Sequence, residues 1–196
     1  SSPVNVCEFC PTDPTILSSG GVDGVLIFWD IALGAAKWQS DLRESIPSDA
    51  VNPKESRPNS PTENAKLLNS IISMAWAPAG NAVVVGFFSG NIGVLDVEFQ
   101  TLDGERHGSS TLSRKWKAHA GRVTSVRFGA CGNQNNAYVF SGSIDDATFR
   151  IWNASEQEEL LRKVGDPLFI FASPIPSVHD PHGTSEKWGA AILLRD

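Results

Sequence analysis

The chain has 196 residues, 41% of them hydrophobic, and a formal net charge of −6. This is enough chain and apolar content for one medium globular domain, and the acidic balance excludes a surface that grips nucleic acid over its whole area, leaving room for a local basic patch. Three cysteines cannot all pair and follow no disulfide-rich spacing, so a reducing, intracellular compartment, cytoplasmic or nuclear, is expected.

In chain order, Val4-Asn-Val-Cys-Glu-Phe-Cys-Pro11 has the apolar alternation of a strand. It recurs slot by slot as Ile71-Ile-Ser-Met-Ala-Trp-Ala-Pro78 and as Val123-Thr-Ser-Val-Arg-Phe-Gly-Ala130. A second strand follows in each copy, with Leu17, Val83 and Val139 leading to the aligned glycines Gly20, Gly86 and Gly142. Third strands end on Trp29-Asp30, Leu95-Asp96 and Trp152-Asn153. Gly20 to Trp29 and Gly86 to Leu95 span equal lengths, whereas Gly142 to Trp152 is one residue longer, which places a bulge or longer turn at Asp145-Asp146-Ala147. Fourth strands, outermost and less apolar, are expected near 36–42, 112–117 and 159–164.

Two inserts interrupt the copies. Arg43 to Asn64, with Pro47, Pro53, Pro58 and Pro61 among Ser, Asn and Glu, reads as a flexible loop between a fourth strand and the next first strand. Glu98 to Thr111 reads as an insert between a third and a fourth strand, on the opposite side, with a smaller Asn-rich turn at 132–136. After Val164 a further unit begins, Leu168 to Ala172 as a first strand, a polar loop over 177–187, and Trp188 to Leu194 as a second strand. With no Met at position 1, no signal peptide and no apolar run of about 18 residues, the chain reads as an internal piece of a longer soluble protein without membrane insertion. The apolar flanks at Val4 to Phe9 and Ala190 to Leu194 would be exposed in such a piece, to be covered by remaining blades of the parent chain or a partner.

The third copy is the most specific. A histidine, His119, precedes its first strand, Ser-Gly-Ser stands in its second, aspartate in its turn, and Trp152 closes its third. That pattern resembles the WD40 repeat, one four-stranded antiparallel blade of a β-propeller. The resemblance covers Val4 to Asn153 closely and Leu168 to Leu194 loosely. It implies an all-β fold, an incomplete propeller within one domain. Blade 1 falls at about 4–42, the flexible insert at 43–66, blade 2 at 67–117, blade 3 at 118–165 and a partial blade 4 at 166–196. The resemblance also gives His119, Ser141, Asp145 and Trp152 a structural role, as a hydrogen-bonded tetrad tying the loop before the first strand to the second strand, the turn and the third strand, with Asp146 as substitute for Asp145. The first copy keeps Ser19, Asp23 and Trp29, and the second has Val85, Ser89 and Leu95 instead.

His119, Ser141 and Asp145 are also the residue types of a hydrolase triad, but no G-x-S-x-G nucleophile elbow accompanies them, and the structural role is preferred. Cys7-Glu-Phe-Cys10 is a C-x-x-C; because Cys7 occupies the slot of Met74 and Val126, the pair reads as core rather than metal or redox site, and no metal or cofactor is expected. His107, His179 and His182 show no ligand spacing. From Arg106 to Ile144 the chain has no acidic residue and six basic ones, Arg106, Arg114, Lys115, Lys117, Arg122 and Arg127. Ser60-Pro61 reads as a candidate proline-directed phosphosite. The family resemblance implies a non-catalytic scaffold binding other protein subunits of a larger eukaryotic complex. Its partner-binding face would carry Arg122, Lys117, Asp23 and Asp146. The alternative is a reader of a phosphorylated or acidic peptide, or of RNA, through Arg122 and its basic neighbours. The Trp-Asp-x-Arg of WD40 receptors in cullin-type ubiquitin ligases is absent, since Trp29-Asp-Ile-Ala32 and Trp152-Asn-Ala-Ser155 lack the arginine.

Overall fold

The computed structural model describes residues 2–43, 67–102, 105–129, 138–164, 166–175 and 187–195, of which 101–102, 105–106, 166–175 and 187–195 are described as backbone alone. The insert beyond Arg43, Ser60, the Asn-rich turn, His179 and His182 lie outside the described residues. Strands β1 (Val4–Cys10), β2 (Asp13–Gly21), β3 (Val25–Asp30) and β4 (Ala35–Asp41) form one sheet in sequence order. A second contains β5 (Ile71–Trp76), β6 (Ala82–Phe87), β7 (Asn91–Leu102) and β8 (Glu105–Lys117), and a third β9 (Ser125–Gly129), β10 (Tyr138–Ser143), β11 (Thr148–Asn153) and β12 (Glu158–Val164). Every neighbouring pair is antiparallel, and β13 (Asp166–Ile175) pairs with β14 (Lys187–Arg195) in a further two-stranded sheet. The first strands lie side by side, β1 next to β5, β5 next to β9 and β9 next to β13, so the sheets stack face to face like propeller blades.

The middle sheet explains itself from its sequence. Ala-Val-Val-Val-Gly-Phe of β6 is an unbroken apolar run because both of its faces are covered. Successive side chains point to opposite faces. Val83, Val85 and Phe87 therefore join one core with Phe28, Leu26 and Ile16 of the first sheet, while Val84 joins another with Val126, Val139 and Trp152 of the third. Trp76 and Met74 of β5 belong to the first core, and Ala75 between them to the second. At the centre of the first core Phe28 stacks on Trp38 at 4.5 Å and meets Trp76 edge-on at 5.8 Å.

The aligned glycines have a packing reason. A Cβ at Gly20 would lie 2.7 Å from Ile71 Cγ2, and one at Gly86 would lie 2.7 Å from Val123 Cγ1, so each glycine is where the start of the next repeat crosses the sheet. The pairings Leu17 with Trp29, Val83 with Leu95 and Val139 with Trp152 carry the same register in all three sheets.

Two expectations need correction. Glu98 to Thr111 is no loop insert: β7 and β8 continue through it as a long hairpin, pairing Val97 with Ser110 and onward to Leu102 with Glu105. In the sequence, Asp-Gly, the dipeptide that follows Leu102, is one that favours tight hairpin turns. Cys7 is exposed rather than core, while Cys10 is buried. Met74 and Val126, in the slot of Cys7, are buried against the preceding sheet, whereas β1 is the first strand and no described element lies on that side.

Candidate functional site

The loop ahead of β9 and the β10–β11 hairpin are joined by one polar array. Trp152 Nε1 donates to Ser141 Oγ at 2.8 Å, Ser141 Oγ lies 2.7 Å from His119 Nε2, and His119 Nδ1 lies 3.0 Å from Asp146 Oδ2. One proton assignment satisfies the whole chain: Ser141 donates to Nε2 of a neutral His119, which donates from Nδ1 to the carboxylate. Burial pushes His119 below the usual imidazole value, against the pull of Asp146, which agrees with that neutral form.

The tetrad is closed by Asp146, not by Asp145. The hairpin pairs Ser143 with Thr148 and leaves four residues, Ile144 to Ala147, in its turn, with Ala147 at φ 49°. The extra residue shifts the first carboxylate outward and brings the second under the histidine. Asp146 also accepts from Thr148 Oγ1 at 2.7 Å, Thr148 N at 3.1 Å and Ala120 N at 3.1 Å, and Arg150 Nη2 stands 3.3 Å away. Burial alone would raise its carboxyl; the hydrogen bonds from Thr148, Ala120 and His119 hold it below the usual range. Arg150 extends the array to Glu159 at 3.1 Å, which ties in the outermost strand. Sequence reasoning missed Thr148 and Arg150, whose only signal was their position beside the aspartate.

Asp145 instead grips Arg122. It accepts from Arg122 Nη2 at 2.7 Å, Nε at 2.9 Å and the backbone N at 2.7 Å. Those bonds from the guanidinium and the backbone hold its carboxyl down to about 2. Arg122 also lies 5.6 Å from the Phe88 ring centre. Lys117 Nζ bonds the Ser89 carbonyl, and Asp23 Oδ1 accepts from Val25 N at 3.2 Å, closing its own turn. The structure thus gathers Arg122, Lys117 and Asp146 on the rim between the second and third sheets, while Asp23 stands on the same rim of the first sheet.

That rim is apolar as well as charged. Leu67 and Leu68 are exposed, Leu68 at 49%, and the Leu68 carbonyl accepts from Ser89 N at 3.1 Å, which sets both leucines next to the Phe88 turn. Ile144, 44% exposed, flanks the Arg122–Asp145 pair. Phe88 thus links the two sets, with the leucines on one side of its turn and the Arg122–Asp145 ion pair on the other.

The Ser141–His119–Asp146 order is that of a hydrolase triad, but Ser141 is fully buried and its Oγ already accepts from Trp152. No substrate reaches it. Among the described residues no group of three or more His, Cys, Asp or Glu side chains is placed to hold a metal ion, and no helix is long and apolar enough to cross a membrane.

The sequence model for the WD domain, G-beta repeat, matches residues 1–30 and 110–153. A diphthine methyltransferase homolog of Dictyostelium discoideum is 31% identical over 110 residues, which are 55% of this chain and 26% of that protein. Protein TEX1 of Saccharomyces cerevisiae is 29% identical over 83 residues, 42% of this chain and 17% of its own. The chain thus spans only a minor part of the curated relatives it matches. Among solved structures, Sqt1 of Saccharomyces cerevisiae superposes with a TM-score of 0.61 at 16% identity, over 98% of this chain and 43% of that one. The RRP9 WD40 repeats superpose with a TM-score of 0.57 at 14% identity, over 87% of this chain and 42% of theirs. With the repeat matched at both segments and three stacked four-stranded sheets carrying its register, the chain carries WD40 repeats and has the fold of WD40 β-propeller blades.

Proposed function

We propose that the chain is a non-catalytic platform for protein partners, part of a larger intracellular assembly in the cytoplasm or nucleus, and that partners dock on the rim carrying Leu67, Leu68, Phe88, Arg122 and Ile144. WD40 proteins generally act as interaction scaffolds, which sets the expectation. The observation that carries the reading is the rim itself: exposed leucines and isoleucine around an ion pair, on loops held from below by the His119–Asp146 array. An interface core of that kind is apolar with few charges, and a rigid scaffold lowers the ordering cost of binding. The alternative, an anion reader, is less well supported, because Asp145 balances the charge of Arg122. The likeness to the methyltransferase homolog adds no catalytic group to the described residues, since the one serine–histidine–aspartate array is closed to substrate.

The test is a pull-down of the parent protein from native extract, with mass spectrometry of what it retains, beside Leu68→Asp and Ile144→Asp variants. Retention of specific protein partners that both variants lose, with unchanged circular dichroism, is expected. Partners kept by both variants, or turnover by the unaltered protein, would overturn the reading.

A further inference from the structure

The hairpin of β7 and β8 outgrows its sheet. The last pairing with β6 is Ala82 with Asp96, Val97 N still donates to the Asn81 carbonyl at 2.8 Å, and from Glu98 to Leu102 β7 pairs with β8 alone. β8 closes the order β5-β6-β7-β8, so its outer edge carries no strand among the described residues. The ribbon is nonetheless held firmly. One face rests on the first sheet, where Trp38 Nε1 donates to Ser110 Oγ at 3.2 Å, Ser40 Oγ lies 2.6 Å from Ser110 Oγ, and Phe99 meets the Trp38 ring edge-on at 5.8 Å. Any side chain at Gly108 would collide with the Trp38 ring. An unpaired edge held rigid in this way is a template for one more strand.

Beside it opens a cleft of about 590 Å³ between His107 and Gly108 of β8 and the β3–β4 turn, with Ala32, Leu33, Ala36 and the Asp30–Lys37 ion pair on its other wall. That turn is unlike its counterpart in the third sheet. Ala154-Ser155-Glu156-Gln157 buries its alanine and exposes polar residues, whereas Ile31-Ala32-Leu33-Gly34 exposes Ile31 and Leu33, Leu33 at 72%. The turn that flanks the cleft is the apolar one. The other face of the ribbon, away from the first sheet, is acidic: Asp96 and Glu98 are exposed on it, and over 96–111 the sequence has four carboxylates, Asp96, Glu98, Asp103 and Glu105, against Arg106 alone.

We infer that the outer edge of β8 takes up an extended segment of a partner protein as an added strand, with apolar side chains on one face and lysine or arginine on the other. This deepens the interaction reading above and rests on it. Alternate side chains of such a strand point to opposite faces. On the side of the first sheet they meet Leu33, Ala32 and Ala36; on the other they stand beside Ser109, across which long basic side chains reach Glu98 and Asp96. Main-chain bonds supply affinity, the apolar and basic alternation supplies selectivity, and an acidic strand is repelled.

The probe is a fluorescein-labelled synthetic peptide of alternating valine and lysine, with a valine–glutamate peptide as counterpart, titrated against the protein. Binding of the lysine peptide alone is expected, weakened by salt and weakened about fivefold in each of Leu33→Asp and Glu98→Lys. Both positions are exposed, and circular dichroism checks that the fold is kept. Amide exchange across 105–111 slows in the complex. No binding, equal binding of the glutamate peptide, unchanged affinity in both variants, or no added protection of β8 would overturn the inference. So would a dimer of the protein abolished by Leu33→Asp, which would give the cleft to a second copy. Extract partners kept by Leu33→Asp and Glu98→Lys but lost in Leu68→Asp would sink this inference and leave the rim reading standing.

Discussion

The second and third blades solve the same geometric problem with opposite chemistry. In the third, Trp152, Ser141, His119 and Asp146 form a buried polar array that fixes loop, turn and strand in one arrangement. In the second, Val85 stands where Ser141 does and Leu95 where Trp152 does, and both are fully buried in the apolar core. The strand register and the order of the four strands are nevertheless the same. The polar array is therefore not what makes a blade. Flanked by a sheet on each side, the second blade is set by packing, and the array in the third fixes one arrangement of the loops that carry Arg122 and Ile144.

The largest test of that contrast removes the side chain both systems share. Trp152 belongs to the core between the two blades, meets Trp116 edge-on at 5.9 Å, and anchors Ser141. Trp152→Ala is expected to cost about 3–5 kcal/mol, close to unfolding a chain of ordinary stability, read by urea denaturation. A loss under about 1 kcal/mol would mean that neither the packing of Trp152 nor the array it anchors holds the third blade together.

Exchanging the two chemistries is the next largest effect. Ser141→Val strands the Trp152 N–H and the His119 Nε2 in the interior, at about 1–3 kcal/mol for each buried unsatisfied group. Val85→Ser places a hydroxyl in an apolar core and is expected to cost about 1–3 kcal/mol. Both changes should destabilise, although each copies the neighbouring blade. If either proves neutral, the two solutions are interchangeable and the contrast is accidental.

Acid offers a third handle, since the third blade carries a buried titrating group. The folded pKa of His119 lies below its ordinary 6.5, so between those values the unfolded chain binds more protons than the folded one. Stability is therefore full above about pH 6.5 and falls as pH drops below it. Thermal melts from pH 7.5 to 5.5 should show that fall, and His119→Asn, already weaker, should lose the part of the slope in this window. An unchanged slope would detach His119 from the array.

Much of this was legible because repeats report shared packing. Gly20 and Gly86 align since the next repeat crosses both, and Trp29 and Trp152 align since each donates to a serine, Ser19 and Ser141. What escaped was set by single-residue offsets or by distant surfaces. Asp145 and Asp146 are indistinguishable in a sequence, and one added turn residue decides which lies under the histidine. The long hairpin hid because Glu98 to Thr111 is polar. Its exposed face needs no apolar residues, its inner face rests on Trp38 some seventy residues away, and in the sequence its one turn signal is the short dipeptide Asp103-Gly104. Cys7 read as core because its slot is core in the other two blades, but burial of that slot depends on a preceding sheet.

The smallest expected effect concerns how the second blade is fastened, since it lacks an internal array. Its inner strand borrows polar partners from both neighbours: Trp76 N donates to Glu8 Oε2 at 3.1 Å, and Arg127 Nη1 donates to the Met74 carbonyl at 3.3 Å. Burial raises the Glu8 pKa above its ordinary 4.5, against the opposing pull of Arg127 and the Trp76 N–H. A raised folded pKa contributes stability that is complete below the unfolded value and lost as pH climbs through the folded one, so at neutral pH the ionised Glu8 is held at a cost. Glu8→Gln keeps an oxygen to accept from Trp76 and discards the charge. It should raise the melting temperature slightly at pH 7, by less than the ~3 °C that 1 kcal/mol moves a chain of this size, with the gain fading below pH 4.5. A lower melting temperature at pH 7 would mean that attraction to Arg127 outweighs the burial of Glu8. The second blade would then be fastened by an ion pair spanning its neighbours, a polar device of its own, and the contrast with the third blade would narrow to where the polar groups sit.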